Sequence, residues 1–193
     1  MAITMPCNSK PEDKKDAELV AKTFGVKTLN IDLSNALEEL KKETHKSIII
    51  SEEAEINIKP RLRMTTLYAV AQTLNYLVIG TGNLSEAFVG YTTKWGDSAC
   101  DLNPIGNFTV EEVLQIGKFI GVPDKIINKA PNDGLTNQTD EEKMGVTYKQ
   151  IEDVILTGNT DSAETTEKIL RMNKISEHKR NSIKPATYKK MDV

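Results

Sequence analysis

At 193 residues, with a formal charge of −3 and 38% hydrophobic residues, the chain has the size of one α/β domain. Its mild acidity gives no overall pull toward nucleic acid or an anionic membrane. No apolar run approaches the ~18 residues a membrane span needs, and no leader pattern opens the sequence, so a cytoplasmic protein is expected.

Aromatic residues make up 5% of the chain, so the core must be aliphatic, and the modest hydrophobic content fits a surface covered by a partner. Cys7 and Cys100 lack CxxC or metal-site spacing and are expected to be free thiols. No repeat or linker divides the sequence, so residues 1–193 read as one domain ending in a basic tail over 174–193.

In chain order, Ala2 to Met5 reads as a short strand ended by Pro6-Cys7-Asn8-Ser9. Lys10 to Phe24 reads as a helix with Ala17, Leu19, Val20 and Ala21 inward. Val26 to Ile31 is a second strand after Gly25, making a strand-helix-strand unit of the right-handed crossover type. Asp32 to Lys42 follows as a helix with Ser34 as its cap, and Ile48-Ile49-Ile50 suggests a brief buried turn. Pro60 suits the first turn of a helix to about Thr73, with Leu62, Met64, Leu67, Val70 and Leu74 as its buried stripe.

Leu77-Val78-Ile79 has the length and composition of a strand buried on both faces, and Gly80-Thr81-Gly82-Asn83 follows at once. Glycines there let backbone N–H groups approach a ligand, and the carboxyl ends of strands are where open α/β sheets bind ligands. Asn83 and Glu86 have capping-box spacing. That capping role is the favoured reading from spacing alone; the sharper alternative makes Glu86 a hard oxygen ligand for magnesium on phosphates.

Arg61 and Arg63, two residues apart, leave their helix on different faces: one toward a ligand and one toward a partner, or both into solvent. Lys94, Trp95, Gly96, Asp97 and Asp101 occupy a loop without periodicity, where the single tryptophan either stacks on a flat ring or covers a core edge. Thr109 and Glu112 open a helix through about Ile120, and Pro123 starts a short one through Ile127. After a glycine- and asparagine-bearing loop come one helical turn at Asp140 to Met144 and two amphipathic helices, Thr147 to Leu156 and Ser162 to Asn173. The tail carries Lys174, His178, Lys179, Arg180, Lys184, Lys189 and Lys190, which by itself reads as a solvated basic end.

Taken together, NIKPRLRM over 57–64, GTGNLSE over 80–86, TTKWGD over 92–97 and the following Asp101 resemble the ammonia-dependent NAD synthetase family. Met5-Pro6-Cys7-Asn8-Ser9, Pro131 with Gln138-Thr139-Asp140-Glu141, and Glu177-His178-Lys179-Arg180 extend the resemblance over nearly the whole chain.

The resemblance implies an α/β fold of the adenine nucleotide alpha-hydrolase type, with a doubly wound parallel sheet, in a homodimer. The implied reaction is ATP-dependent amidation of deamido-NAD with ammonia to give NAD, AMP and pyrophosphate through an acyl-adenylate. Position by position, Thr81 corresponds to an ATP contact and Glu86 to a magnesium ligand. Arg61, Lys94, Asp101, His178 and Lys179 correspond to deamido-NAD contacts. No catalytic base is implied.

Set against that family, the chain is expected to lack the first, central strand and the SGGxDS loop that cradles ATP phosphates. Val110 stands where the family has an ATP-binding lysine. An alternative reading is therefore a silent paralogue or split-enzyme fragment that binds a dinucleotide or an intact synthetase chain.

Overall fold

Two three-residue strands, β1 (Ala2–Thr4) and β2 (Thr28–Asn30), pair in parallel with Ile3 opposite Leu29. The structure, a computed structural model, describes residues 1–135 and 138–181. Helix α1 (Pro11–Thr23) joins the strands, and α2 (Ser34–His45) and α3 (Glu52–Leu74) follow. Leu33 and Leu37 pack with Cys7, Met5, Ile31, Ile58 and Leu62, so α2 and α3 cover the face shared by Met5 and Ile31. Ala2 lies on the opposite face by strand alternation and lines a cavity of about 430 Å³ with α1. The pair thus has helices on both faces, as an α/β fold requires.

Asp16, rather than Ala17, is the buried residue on α1 beside Ala21. Its carboxylate takes Lys125 at 2.5 Å and Lys129 at 2.9 Å, which docks α1 against α6 (Asp124–Ile127). Ala17 is exposed and lines the cavity instead. Ser34 is the first residue of α2 and not its cap; its N–H donates to Asp32 Oδ1 at 2.8 Å.

Two further expectations are corrected. Helix α3 starts at Glu52, well before Pro60, because Ser51 caps it through a bond from Ala54 N and Glu52, Glu53 and Glu55 fill its first turn. Pro60 is buried inside the helix, tolerated at the loss of one backbone bond. The isoleucines before it make no buried turn: Ile48 and Ile49 face solvent.

Leu77-Val78-Ile79 is extended but paired on one edge alone. Gly80 N donates to Leu102 O at 2.7 Å and Leu102 N to Val78 O at 3.4 Å, forming a single parallel bridge between Ile79 and Leu102, and Asp101 N also donates to Val78 O at 2.9 Å. Val78 is buried, but Leu77 and Ile79 are 69% and 62% exposed, against the expected burial on both faces. Parallel bonding alternates, so the N–H and C=O of Ile79 point away from Leu102. Likewise Ala2 N bonds Lys27 O and Ile31 N bonds Thr4 O, which leaves Ile3 facing away from β2. Among the described residues neither strand pair is extended by a third strand, so the outer edges at Ile3 and Ile79 have no ladder partner.

The larger core is helical. Helices α4 (Leu84–Val89), α7 (Asp140–Met144), α8 (Tyr148–Thr157) and α9 (Ala163–Ile175) enclose Val89, Met144, Val146, Tyr148, Ile151, Val154 and Ile169. Capping boxes open α4, α7, α8 and α5 (Val110–Phe119), the last from the expected Thr109 and Glu112. Ser85 and Glu152, both buried, tie α4 and α8 to the start of α5 through Val110 N and Glu111 N. A last short helix, α10 (Glu177–Arg180), folds back onto α4. The lysines of the tail beyond residue 181 lie outside the described residues. Both cysteines are free, as expected.

Candidate functional site

The loop after the Val78 strand is shaped by two glycines with different duties. A Cβ on Gly80 would sit 2.6 Å from Cys100 Sγ, so this glycine allows close packing between strands. A Cβ on Gly82 would meet only Glu86 Oε2 at 3.8 Å, so packing does not demand glycine there. Its bare backbone suits the approach of a ligand. Thr81, between them, is exposed at the strand's carboxyl end.

Asn83 and Glu86 form the capping box that their spacing predicts: Asn83 Oδ1 accepts from Glu86 N at 2.9 Å, and Glu86 Oε2 from Asn83 N at 2.8 Å. The cap leaves Oε1 available to another partner. Burial pushes the Glu86 carboxyl up to about 7, the cap bond opposes that shift, and the nearby Asp140 and Asp97 add to it. Asp140 is itself pushed up, chiefly by burial, while its Oδ2 accepts from Tyr148 OH at 3.1 Å.

A buried carboxylate at this setting favours either a proton or a cation beside it. Among the described residues no group of three or more His, Cys, Asp or Glu side chains converges on a metal. Magnesium commonly takes one or two carboxylates and completes its shell with phosphate and water. The single free oxygen of Glu86 fits that use and no closed protein cage.

Three of the expected dinucleotide residues meet at the Lys94 loop. Arg61 donates through Nε and Nη2 to Lys94 O, at 3.3 Å each. Lys94 Nζ donates to His178 O at 2.7 Å and lies 3.3 Å from His178 Nδ1. Lys179 reaches the other end of the loop, donating to Gly90 O and Thr92 O at 2.7 Å. Desolvation there holds its pKa below the ordinary lysine value.

The loop is built on Asp97, which accepts from Thr93 N at 2.8 Å and from the Thr92 hydroxyl, and on Asn57 of α3, which accepts from the Thr93 hydroxyl. Gly96 lets it press onto α3, because a Cβ there would come within 3.0 Å of Pro60 Cβ. Trp95 adopts a left-handed backbone conformation, φ 62°, and its ring is 53% exposed with Lys94 Nζ 5.5 Å from the centroid. Its exposure does not fit the reading in which the ring covers a core edge.

Asp101 stands apart from these residues. Its Oδ2 accepts from Val78 N at 2.7 Å and its Oδ1 from Tyr68 OH at 3.4 Å, so both oxygens face the strand and α3. Arg63 is not a solvated side chain either: it donates to Met5 O and Ser9 Oγ, both at 3.1 Å, and fixes the loop after β1. Val110 packs against the helical core. Arg180 was read from sequence only as part of Glu177-His178-Lys179-Arg180 and the basic tail, with no role of its own, since an arginine among tail cations does not show which group it meets. It donates to Ala87 O and Phe88 O at 3.0 Å.

Parallel strands ending in a small-residue loop, a buried carboxylate at the following helix and a basic loop beside an exposed indole define an α/β protein with a candidate ligand site at the carboxyl end of a strand. Comparison with known proteins makes the class specific. The profile of the NAD synthase family matches residues 1–191. The chain is 47% identical over 183 residues to the NH(3)-dependent NAD(+) synthetase of Carboxydothermus hydrogenoformans, covering 93% of this chain and 75% of that one. It is 40% identical to the NH(3)-dependent NAD(+) synthetase of Mesoplasma florum, covering 98% and 78%.

Among solved structures, the NMN synthetase from Francisella tularensis superposes with a TM-score of 0.90 at 36% identity, covering 96% of this chain and 78% of that one. NAD+ synthetase from Burkholderia pseudomallei gives 0.71 at 26% identity, covering 92% and 68%. The chain belongs to the NAD synthase family.

Proposed function

We propose that this chain amidates the nicotinate carboxylate of deamido-NAD with ammonia, using ATP and releasing AMP and pyrophosphate. The observation that carries the reading is the meeting of Arg61, Lys94 and His178 at one loop, beside the helix that Glu86 opens. Cationic groups there suit the dinucleotide's phosphates and carboxylate. The exposed Trp95 ring suits a stacked heterocycle.

The substrate carboxylate oxygen attacks the α-phosphorus of ATP, forming the acyl-adenylate as pyrophosphate leaves. Ammonia then attacks the acyl carbon, the bond to AMP breaks, and the nitrogen gives up its proton to solvent. Thr81 and the Gly82 backbone are assigned to ATP. Arg61, Lys94, His178 and the remaining N–H of Lys179 are assigned to deamido-NAD; Asp101 is assigned there through Oδ1, which beside the long 3.4 Å bond from Tyr68 has room for a second donor. Glu86 would hold magnesium through Oε1; bound there, the ion would neutralise phosphate charge. No general base is assigned, since free ammonia is already a nucleophile.

We also propose a cytoplasmic homodimer, supported by the apolar face of α5, where Ile116, Ile120 and the 91% exposed Phe119 have no cover among the described residues. The likeness to an NMN synthetase supports a second substrate reading, in which the amidated carboxylate belongs to nicotinate mononucleotide.

Purified chain incubated with ATP, magnesium and ammonia, and with either deamido-NAD or nicotinate mononucleotide, tests both. AMP release with the dinucleotide supports the first reading, and turnover of the mononucleotide alone supports the second. Tight binding of deamido-NAD without AMP release would instead make the chain a binding partner and remove the proposed ligase activity.

A further inference from the structure

The carbonyls at the end of α4 and just beyond it are held by cations from the far end of the chain. Arg180 Nη1 donates to Ala87 O and Phe88 O at 3.0 Å and to Ser176 Oγ at 2.7 Å, and its Nη2 donates to Asn173 O. Asn173 Nδ2 adds a 2.8 Å bond to Phe88 O. Lys179 takes the next carbonyls, Gly90 O and Thr92 O. Carbonyls at a helix C-terminus lack intrahelical donors and carry partial negative charge, so guanidinium and ammonium groups suit them.

The fit is also steric. Gly90, at φ 71°, lies so close to Ser176 that a Cβ would come 2.1 Å from Ser176 Cβ. Helix α10 therefore has one seat. Immediately before the two seated cations stands His178, whose carbonyl and Nδ1 hold Lys94 Nζ.

We propose that Arg180 is a positioning residue that locks the Glu86 helix to the Lys94 loop through α10. It touches neither substrate; it fixes the distance between the group assigned to magnesium and the cations assigned to deamido-NAD. The proposal rests on the substrate reading above. Its consequence is large because small misplacements of reacting groups cost about 100-fold in rate. A planar, forked guanidinium bonds Ala87 O, Phe88 O, Ser176 and Asn173 together, which a lysine ammonium at the same position does not reproduce.

The test compares full-length wild type with Arg180→Ala, Arg180→Lys, Lys94→Ala and Arg180→Ala/Lys94→Ala. Without ligand, Arg180→Ala speeds amide exchange over residues 90–97 by about tenfold or more, while α8 keeps its protection. Unchanged exchange over 90–97 overturns the proposal whatever the ligand does.

In calorimetry Arg180→Ala weakens deamido-NAD binding about tenfold and Arg180→Lys restores only part of it. In the Lys94→Ala background the same change adds little, because Lys94 Nζ is the side chain that reaches the His178 carbonyl and its loss cuts the link. Faster exchange with unaltered deamido-NAD affinity, or full additivity with Lys94→Ala, makes Arg180 a stability residue and ends the positioning role. Should Arg180→Ala not fold, Arg180→Lys is read by the same two measurements. A wild type that takes no deamido-NAD sinks the substrate reading, and the lock between α4 and the Lys94 loop is then decided by exchange alone.

Discussion

Glu86→Gln isolates the buried carboxyl at the start of α4. Its pKa rises from an ordinary 4.5 to about 7, chiefly through burial. Between those values the folded protein holds a proton that the unfolded chain has released. Stability therefore falls as pH rises through this window, by about 3 kcal/mol in total at 1.36 kcal/mol per pKa unit. Glutamine keeps the capping box, since its side-chain oxygen accepts from Asn83 N as Oε2 does, and it never ionises.

Urea titrations followed by circular dichroism at pH 5 and pH 8, in chelator, give the measurement. The variant matches wild type at pH 5 and exceeds it by about 2–3 kcal/mol at pH 8, with unchanged m-value. Adding magnesium with ATP at pH 8 stabilises wild type and leaves the variant where it was, because bound ligand favours the folded state only where a site exists. Parallel pH profiles for the two proteins would refute the burial argument. Equal stabilisation of both by magnesium with ATP would remove Glu86 as the metal's ligand.

Two further outcomes are expected. Lys94→Ala removes a charge-assisted contact and weakens deamido-NAD binding at least several-fold in calorimetry; unaltered affinity takes Lys94 out of the site. Asp101→Ala strips Val78 N of its 2.7 Å acceptor at a partly buried position, which lowers the unfolding free energy by about 1–3 kcal/mol. Wild-type stability in that variant would show that water replaces the carboxylate at no cost.

Local signals with a local cause were legible in the sequence. Thr109 with Glu112 and Asn83 with Glu86 announce helix starts because both partners lie within one turn. The glycine loop after Val78 and the basic loop at Lys94 were likewise readable in order. Pro60 misled because proline favours a first turn, while Ser51 and three glutamates begin the helix upstream. Leu77 and Ile79 look like a doubly covered strand, yet apolar composition does not record how many neighbours a strand finds. Asp101, Arg63 and Arg180 were opaque for one reason: each acts on a backbone group distant in sequence, at Val78, Met5 and Ala87.

The unpaired sides of Ile3 and Ile79 bear on how the molecule behaves in a crowded solution. Each offers a ready register of donors and acceptors to any extended peptide lying alongside, and Leu77 and Ile79 add greasy contacts to whatever docks there. Strand addition at those rims is therefore the expected route of self-association, and light scattering that rises steeply with protein concentration below the melting temperature is the outcome that checks it.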